Sequence, residues 1–132
     1  MKRNLKMQSN GLMNGDAVRM ELPLAELLMR GRELIRHLRR YGEVNWAEWL
    51  EDRLEALRSD SRAGVAELLE GFEGMGSLID LYLCPEAGHR VPEGMESDVN
   101  EELLVMASRV FQAARDLGDF VNVDRTRYTS RI

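Results

Sequence analysis

Four side chains able to do chemistry lie within ten residues of one another in the stretch GSLIDLYLCPEAGH: Asp80, Cys84, Glu86 and His89. A thiol beside an imidazole is the nucleophile and base of cysteine enzymes, with a carboxylate to orient the base. The same thiol and imidazole are zinc ligands, with Glu86 between them and Glu93 beyond. Each reading meets an obstacle. A reactive cysteine needs an electropositive setting, and Cys84 ends an apolar run among acidic residues. A structural zinc site wants four ligands, and the chain holds one cysteine and two histidines. The plainer reading is a buried, inert thiol, a loop histidine, and an Asp80 that bonds backbone N–H groups of the preceding glycine turn or pairs with an arginine. We therefore expect no catalytic set, no metal and no cofactor, and keep Asp80, Cys84, Glu86 and His89 as a candidate functional loop. The competing expectation is a small enzyme or metal protein with its site in residues 73–97. The other histidine, His37, stands among arginines and reads as a solvated surface residue.

The glycines at 71, 74 and 76 invite a phosphate-cradling reading, but no Gly-Lys-Ser/Thr follows them and a helical pattern, not a strand, precedes them. A helix stop and tight turn is the simpler account.

The elements that must position this loop are helices. Leu24, Leu27, Leu28, Leu34, Ile35, Leu38 and Tyr41 recur at helical spacing. They predict a first helix from about Pro23, placed in the first turn where its missing N–H costs nothing, to Arg40 before Gly42. Asn45 with Glu48 has capping-box spacing, and Val44 with Trp49 that of a hydrophobic staple. This second helix runs to about Ser59. A third, short helix starts at Asp60 or Ser61 and carries Val65, Leu68, Leu69 and Phe72, with Gly71 and Gly74 stopping it. The last starts at Asp98 with Glu101 as its partner and ends at Gly118. Residues 1–19 read as a mobile tail, 20–118 as one domain and 119–132 as a frayed tail. Four amphipathic stripes need a shared interior, so the expected fold is mainly α: a compact four-helix arrangement with a long irregular connection between the third and fourth helices. Within that connection, residues 77–83 alternate and fit an extended strand, with residues 89–92 returning as a short β-ribbon. They equally fit a helical turn capped by Ser77.

The charge is unevenly spread. Of a net −5, residues 1–19 contribute +3 and residues 119–132 contribute +1, leaving −9 for the body. Such a body argues against non-specific nucleic-acid binding, which needs Lys and Arg to displace counterions, and is compatible with a basic protein partner. Glu48, Glu51, Asp52 and Glu55 share one face of the second helix and form a candidate partner-binding surface. No apolar run reaches the ~20 residues of a membrane span, no secretory leader is evident, and a lone cysteine suits a reducing cytoplasm. Met13, Met20 and Met29 with Leu22 and Leu24 offer a face on which a homodimer would form.

The words NWAEWLED and GFEGMGSLIDLYLCPEAGH resemble those of a family of small uncharacterised bacterial proteins. Its pattern is W-A-x-W-L, then G-G-M-G-S-[F/L]-[N/x]-D-L-x-L, a C-P-x-x-G-H loop and a final helix, a match over about residues 34–118. Phe72-Glu73-Gly74 departs from the glycine pair, and Ile79 replaces a common Asn. The resemblance implies that Trp46, Trp49, Gly74, Met75, Gly76, Ser77, Asp80, Leu81, Cys84 and His89 form one signature. It carries no activity. By analogy of size and charge the chain looks like an immunity-type or accessory protein that binds an unidentified protein partner.

Overall fold

The computed structural model describes the backbone of residues 15–74 and 76–129, and the side chains of residues 22–74 and 76–122. Four α-helices follow in order: α1 (Gly15–Arg40), α2 (Val44–Ser59), α3 (Ser61–Glu70) and α4 (Glu96–Thr129). Two 3₁₀ turns, Leu78–Asp80 and Pro85–Ala87, lie between α3 and α4. Each helix packs on the next, and α4 closes the arrangement against α1. The expected mainly α, four-helix architecture is the one observed.

The core is built from the stripes that the spacing marks. Leu27, Leu34 and Leu38 of α1, Leu50 and Leu57 of α2, Leu68 of α3, and Val99, Val110 and Leu117 of α4 are fully buried. With Leu78 and Leu83 from the connection they form one cluster. Burying each such side chain stabilises the fold by about 1.5–3 kcal/mol. With three aromatic types making up 6% of the chain, aliphatic packing dominates. Trp46 and Trp49 meet edge to face at 5.3 Å on the rim of this core.

Several helix ends differ from the sequence reading. Pro23 lies inside α1, not in its first turn. The first turn of α2 is capped by Glu43, whose carboxylate accepts from Trp46 N–H at 3.0 Å; Asn45 is already helical. A tertiary bond described below fixes the Glu43 side chain, so the longer cap prevails over the capping box. Asp60 does cap α3, accepting from Ala63 N–H at 3.2 Å, while its own N–H closes α2 on Ala56 C=O. One residue therefore serves both helices. Gly64 makes so short a turn feasible, because a Cβ there would stand 3.0 Å from the Leu57 Cα. α4 begins two residues before Asp98 and continues through Gly118 to Thr129. Gly118 is buried inside it, with its missing side chain facing Leu69 and Val65 of α3. A Cβ there would meet Leu69 at 3.7 Å, an ordinary contact, so the helix simply runs through a glycine that reads as its stop in the sequence. Residues 1–14 of the expected N-terminal tail lie outside the described residues, as do residues 130–132 of the C-terminal one.

No β-ribbon forms among the described residues. Leu78–Asp80 is a 3₁₀ turn after an extended Ser77, and residues 89–92 bond elsewhere. A helical turn forms instead, over Leu78–Asp80 alone and without the expected cap, since the Ser77 side chain makes no capping bond. Leu78 and Leu83 turn inward while Ile79, Asp80 and Tyr82 stay exposed, so burial does not follow the alternation of the sequence.

Candidate functional site

The connection from Gly71 to Met95 is held in place at four points. At its start, Leu78 N–H reaches back to Gly71 C=O at 2.9 Å and closes the glycine turn. Gly74 and Gly76 have φ of +82° and +77°, a region open to glycine at little cost. Gly71 has an ordinary φ but lies against Trp49, whose ring would stand 2.2 Å from any added Cβ. So the run of glycines serves two needs: chain reversal at 74 and 76, and close approach of the tryptophan at 71.

Asp80 is exposed and accepts from Gly76 N–H at 2.9 Å. This is the bond to the glycine turn that the sequence suggests. Next, Asn100 of α4 takes both polar groups of Leu83. Its Oδ1 accepts from Leu83 N–H at 2.7 Å, and its Nδ2 donates to Leu83 C=O at 2.8 Å and to Glu96 C=O at 2.8 Å. The side-chain amide thus imitates a neighbouring strand for one residue, satisfying backbone that a buried leucine would otherwise strand.

His89 is the fourth point. Its Nδ1 accepts from Cys84 N–H at 3.0 Å, and its Nε2 lies 2.8 Å from Glu43 Oε1. A ring nitrogen that accepts from an amide carries no proton, so the proton is on Nε2 and is donated to the carboxylate. The other Glu43 oxygen caps α2. The chain Cys84 N–H, imidazole, Glu43, Trp46 N–H is therefore continuous, and its members are largely shielded: the His89 and Glu43 side chains are 7% and 12% exposed. Beside it Arg90 N–H bonds Tyr41 C=O at 2.9 Å. Together these bonds latch the connection onto the turn between α1 and α2.

The four candidate loop residues do not form a catalytic set. Cys84 meets His89 through its main-chain N–H, and the imidazole nitrogen that a thiol would use is already taken. Cys84 is half-buried and starts the second 3₁₀ turn. Glu86 is exposed in that turn, and Asp80 faces the glycine turn. Among the described residues no three His, Cys, Asp or Glu side chains converge as a metal site would require. Met75 lies outside the described residues.

The candidate acidic face is exposed at Glu48, Glu51, Asp52 and Glu55. Part of it is matched within the chain: Glu51 pairs with Arg39 at 2.7 Å, and Glu55 lies 3.9 Å from Arg58. His37, expected in solvent, is 6% exposed. Its Nε2 donates to Val99 C=O at 3.1 Å and its ring meets Tyr41 edge-on at 5.0 Å. It belongs to the buried face because residue 37 adjoins Leu34 and Leu38 on the apolar stripe, a position that the flanking arginines obscure.

Two functional features were not legible from residue types. Glu43 and Asn100 hold the connection, yet neither stands in a motif; for Glu43 the only sequence signal is its place next to a helix start. The second feature is a groove of about 340 Å³ between the first 3₁₀ turn and α4. Leu78, Leu103 and Ala107 form its base, and Ile79, Tyr82 and Leu104 stand around it at 39%, 52% and 54% exposure. Ser97, Asn100 and Glu101 supply the polar edge. The Tyr82 phenol is raised above its ordinary pKa, first by hydrogen bonding to Glu96, then by desolvation and the Glu96 charge.

Among the described residues no helix is long and apolar enough to cross a membrane. No curated protein and no solved structure matches the chain. A family model does match, over residues 39–92, and its family is described as a domain of unknown function, DUF6966. The match is narrower than the resemblance over residues 34–118. It takes in both tryptophans, the glycine turn and the latch residues Glu43, Cys84 and His89, and stops before α4.

Proposed function

We propose that the chain is a non-enzymatic protein-binding module of the immunity or accessory type, acting in the cytoplasm, and that the groove beside the first 3₁₀ turn is its contact surface. The observation that carries this is the cluster of Ile79, Tyr82 and Leu104, three large apolar side chains exposed around one groove. Contiguous exposed apolar surface marks interaction sites, and tyrosine is prominent among binding hot spots. The latch and the Asn100 bonds hold the groove wall in one conformation, which lowers the ordering cost of binding. Glu96 and Glu101 beside it favour a partner segment that is apolar and flanked by basic residues. The acidic face of α2 would steer such a partner rather than seat it, since exposed charges act mainly on encounter rate.

The test is capture from the native host at low salt, with wild-type chain beside Leu104→Glu. We expect one partner, held by the wild type, released by added salt and bound roughly 30-fold more weakly by the variant, the loss of one hot spot. A partner held equally by both would remove the groove from the proposal, and no specific partner at all would remove the function. Light scattering on the isolated chain separates this reading from a homodimer built on Leu22 and Met29, both exposed on α1. Of the other residues expected on that face, Leu24 packs partly buried against the core, and Met13 and the Met20 side chain lie outside the described residues.

A further inference from the structure

A second cleft, of about 570 Å³, lies on the seam between α1 and α4 and is independent of the groove. Three guanidinium groups line it: Arg36 and Arg40, one turn apart on α1, and Arg109 on α4. Among the described residues none of the three is ion-paired, whereas Arg30, Arg39, Arg53 and Arg58 all are. Two carboxylates, Glu33 and Glu102, also line the cleft, so three guanidinium groups against two carboxylates leave one positive charge in excess. Glu33 is drawn to Arg30 at 3.6 Å. Glu102 is 63% exposed, and its Oε1 stands 3.9 Å from His37 Nδ1, beyond hydrogen-bond distance. Arg40 is already placed, its guanidinium lying 5.5 Å from the centre of the Tyr41 ring.

The wall of the cleft includes the buried His37. Its Nε2–H is spent on Val99 C=O, so in the neutral form of the ring Nδ1 is an acceptor, and no hydrogen bond to that nitrogen occurs among the described residues. Three forked donors with one acceptor beside them define a ligand: an oxyanion with several acceptor oxygens and one hydroxyl. We propose that this cleft binds a phosphate group in its hydrogen-phosphate form, with Arg36, Arg40 and Arg109 donating to its oxygens and His37 Nδ1 accepting its O–H. Guanidinium forks match phosphate oxygens in geometry as well as charge. Sulfate, which has the same shape and no hydroxyl near neutral pH, would leave the buried Nδ1 without a partner, a missed bond that counts against it. An overall acidic chain with a local arginine cluster also selects for a small anion over a polyanion such as nucleic acid, which the surrounding negative surface would repel.

The experiment is a nuclear magnetic resonance titration of the full chain at fixed ionic strength, following the His37 ring and the arginine Nε–H signals. Inorganic phosphate, phosphoserine and sulfate are added in separate series. We expect saturable shifts at His37 and the three arginines with inorganic phosphate, at least tenfold weaker binding of sulfate, and at least tenfold weakening in Arg36→Gln and Arg109→Gln. Both substituted side chains are exposed, and thermal unfolding without phosphate checks that each variant is folded. Saturation by phosphoserine alone would overturn it, because an ester dianion near neutral pH brings no hydroxyl to Nδ1. Absence of saturation in both phosphate series, equal binding of sulfate, or unchanged binding in the arginine variants would overturn it.

Discussion

The two histidines of this chain are both shielded, His37 buried and His89 partly so, and they are held differently. His89 joins two elements far apart in sequence and has both ring nitrogens engaged, one by Cys84 N–H and one by Glu43. His37 is packed within the α1–α4 seam with one nitrogen engaged, and its partner, Val99 C=O, lies inside a helix. A carbonyl has two lone pairs, so Val99 keeps a helical partner whether or not His37 is present. Cys84 N–H and the Glu43 oxygen have no such second choice among the bonds observed. The contrast shows how to read a buried polar residue: what matters is what its neighbours lose without it. By that measure His89 is a structural latch. His37 should by the same measure be replaceable for folding, and its second nitrogen is the one assigned to the proposed anion.

Three substitutions test this contrast. His89→Leu keeps much of the volume but leaves an amide and a carboxylate unpaired in a shielded place. It should cost about 2–4 kcal/mol, since each stranded buried group costs about 1–3 kcal/mol and charged groups more. Urea unfolding measures it, and a loss below about 0.5 kcal/mol would break the latch. Asn100→Ala should come next, at about 1–3 kcal/mol, because Leu83 N–H and C=O are partly reached by water once the amide is gone. Hydrogen exchange at the Leu83 amide should accelerate with it; unchanged protection would show that the connection holds itself. His37→Leu should have the smallest effect, within about 1 kcal/mol, because an apolar side chain of similar size replaces the imidazole without stranding its partner. A loss as large as that of His89→Leu would erase the distinction between the two sites. The same variant should also lose the proposed preference for phosphate over sulfate.

The glycine-rich stretch illustrates how far local chemistry carries. Asp80 bonding the glycine turn follows from a short carboxylate placed four residues beyond a glycine with positive φ. Capping of α3 by Asp60 is similarly local. The failures share one cause. Asn45 gave way to Glu43 as the cap because Glu43 is fixed by His89, forty-six residues away. Gly118 did not stop α4, which continues through it with the glycine buried against Leu69 and Val65 of α3. The alternating pattern of residues 77–83 produced a 3₁₀ turn and not a strand, since Leu78 and Leu83 fill the core and Asn100 supplies the pairing that a partner strand would.

By itself the sequence determined the helical class, the number of helices and most of the core, because apolar spacing at the helical period leaves an amphipathic helix no stable alternative to burying its stripe. It also determined the break after α3, because Gly74 and Gly76 act locally, whereas Pro23 and Gly118 did not mark helix ends. Only the tertiary structure decided which polar residues meet. Glu43 with His89, Asn100 with Leu83, and the arginines of α1 with Arg109 of α4 are each joined by folding across dozens of residues. Side-chain hydrogen bonds and clefts depend on distances of a few ångströms between separate elements, and no periodicity within one element encodes them.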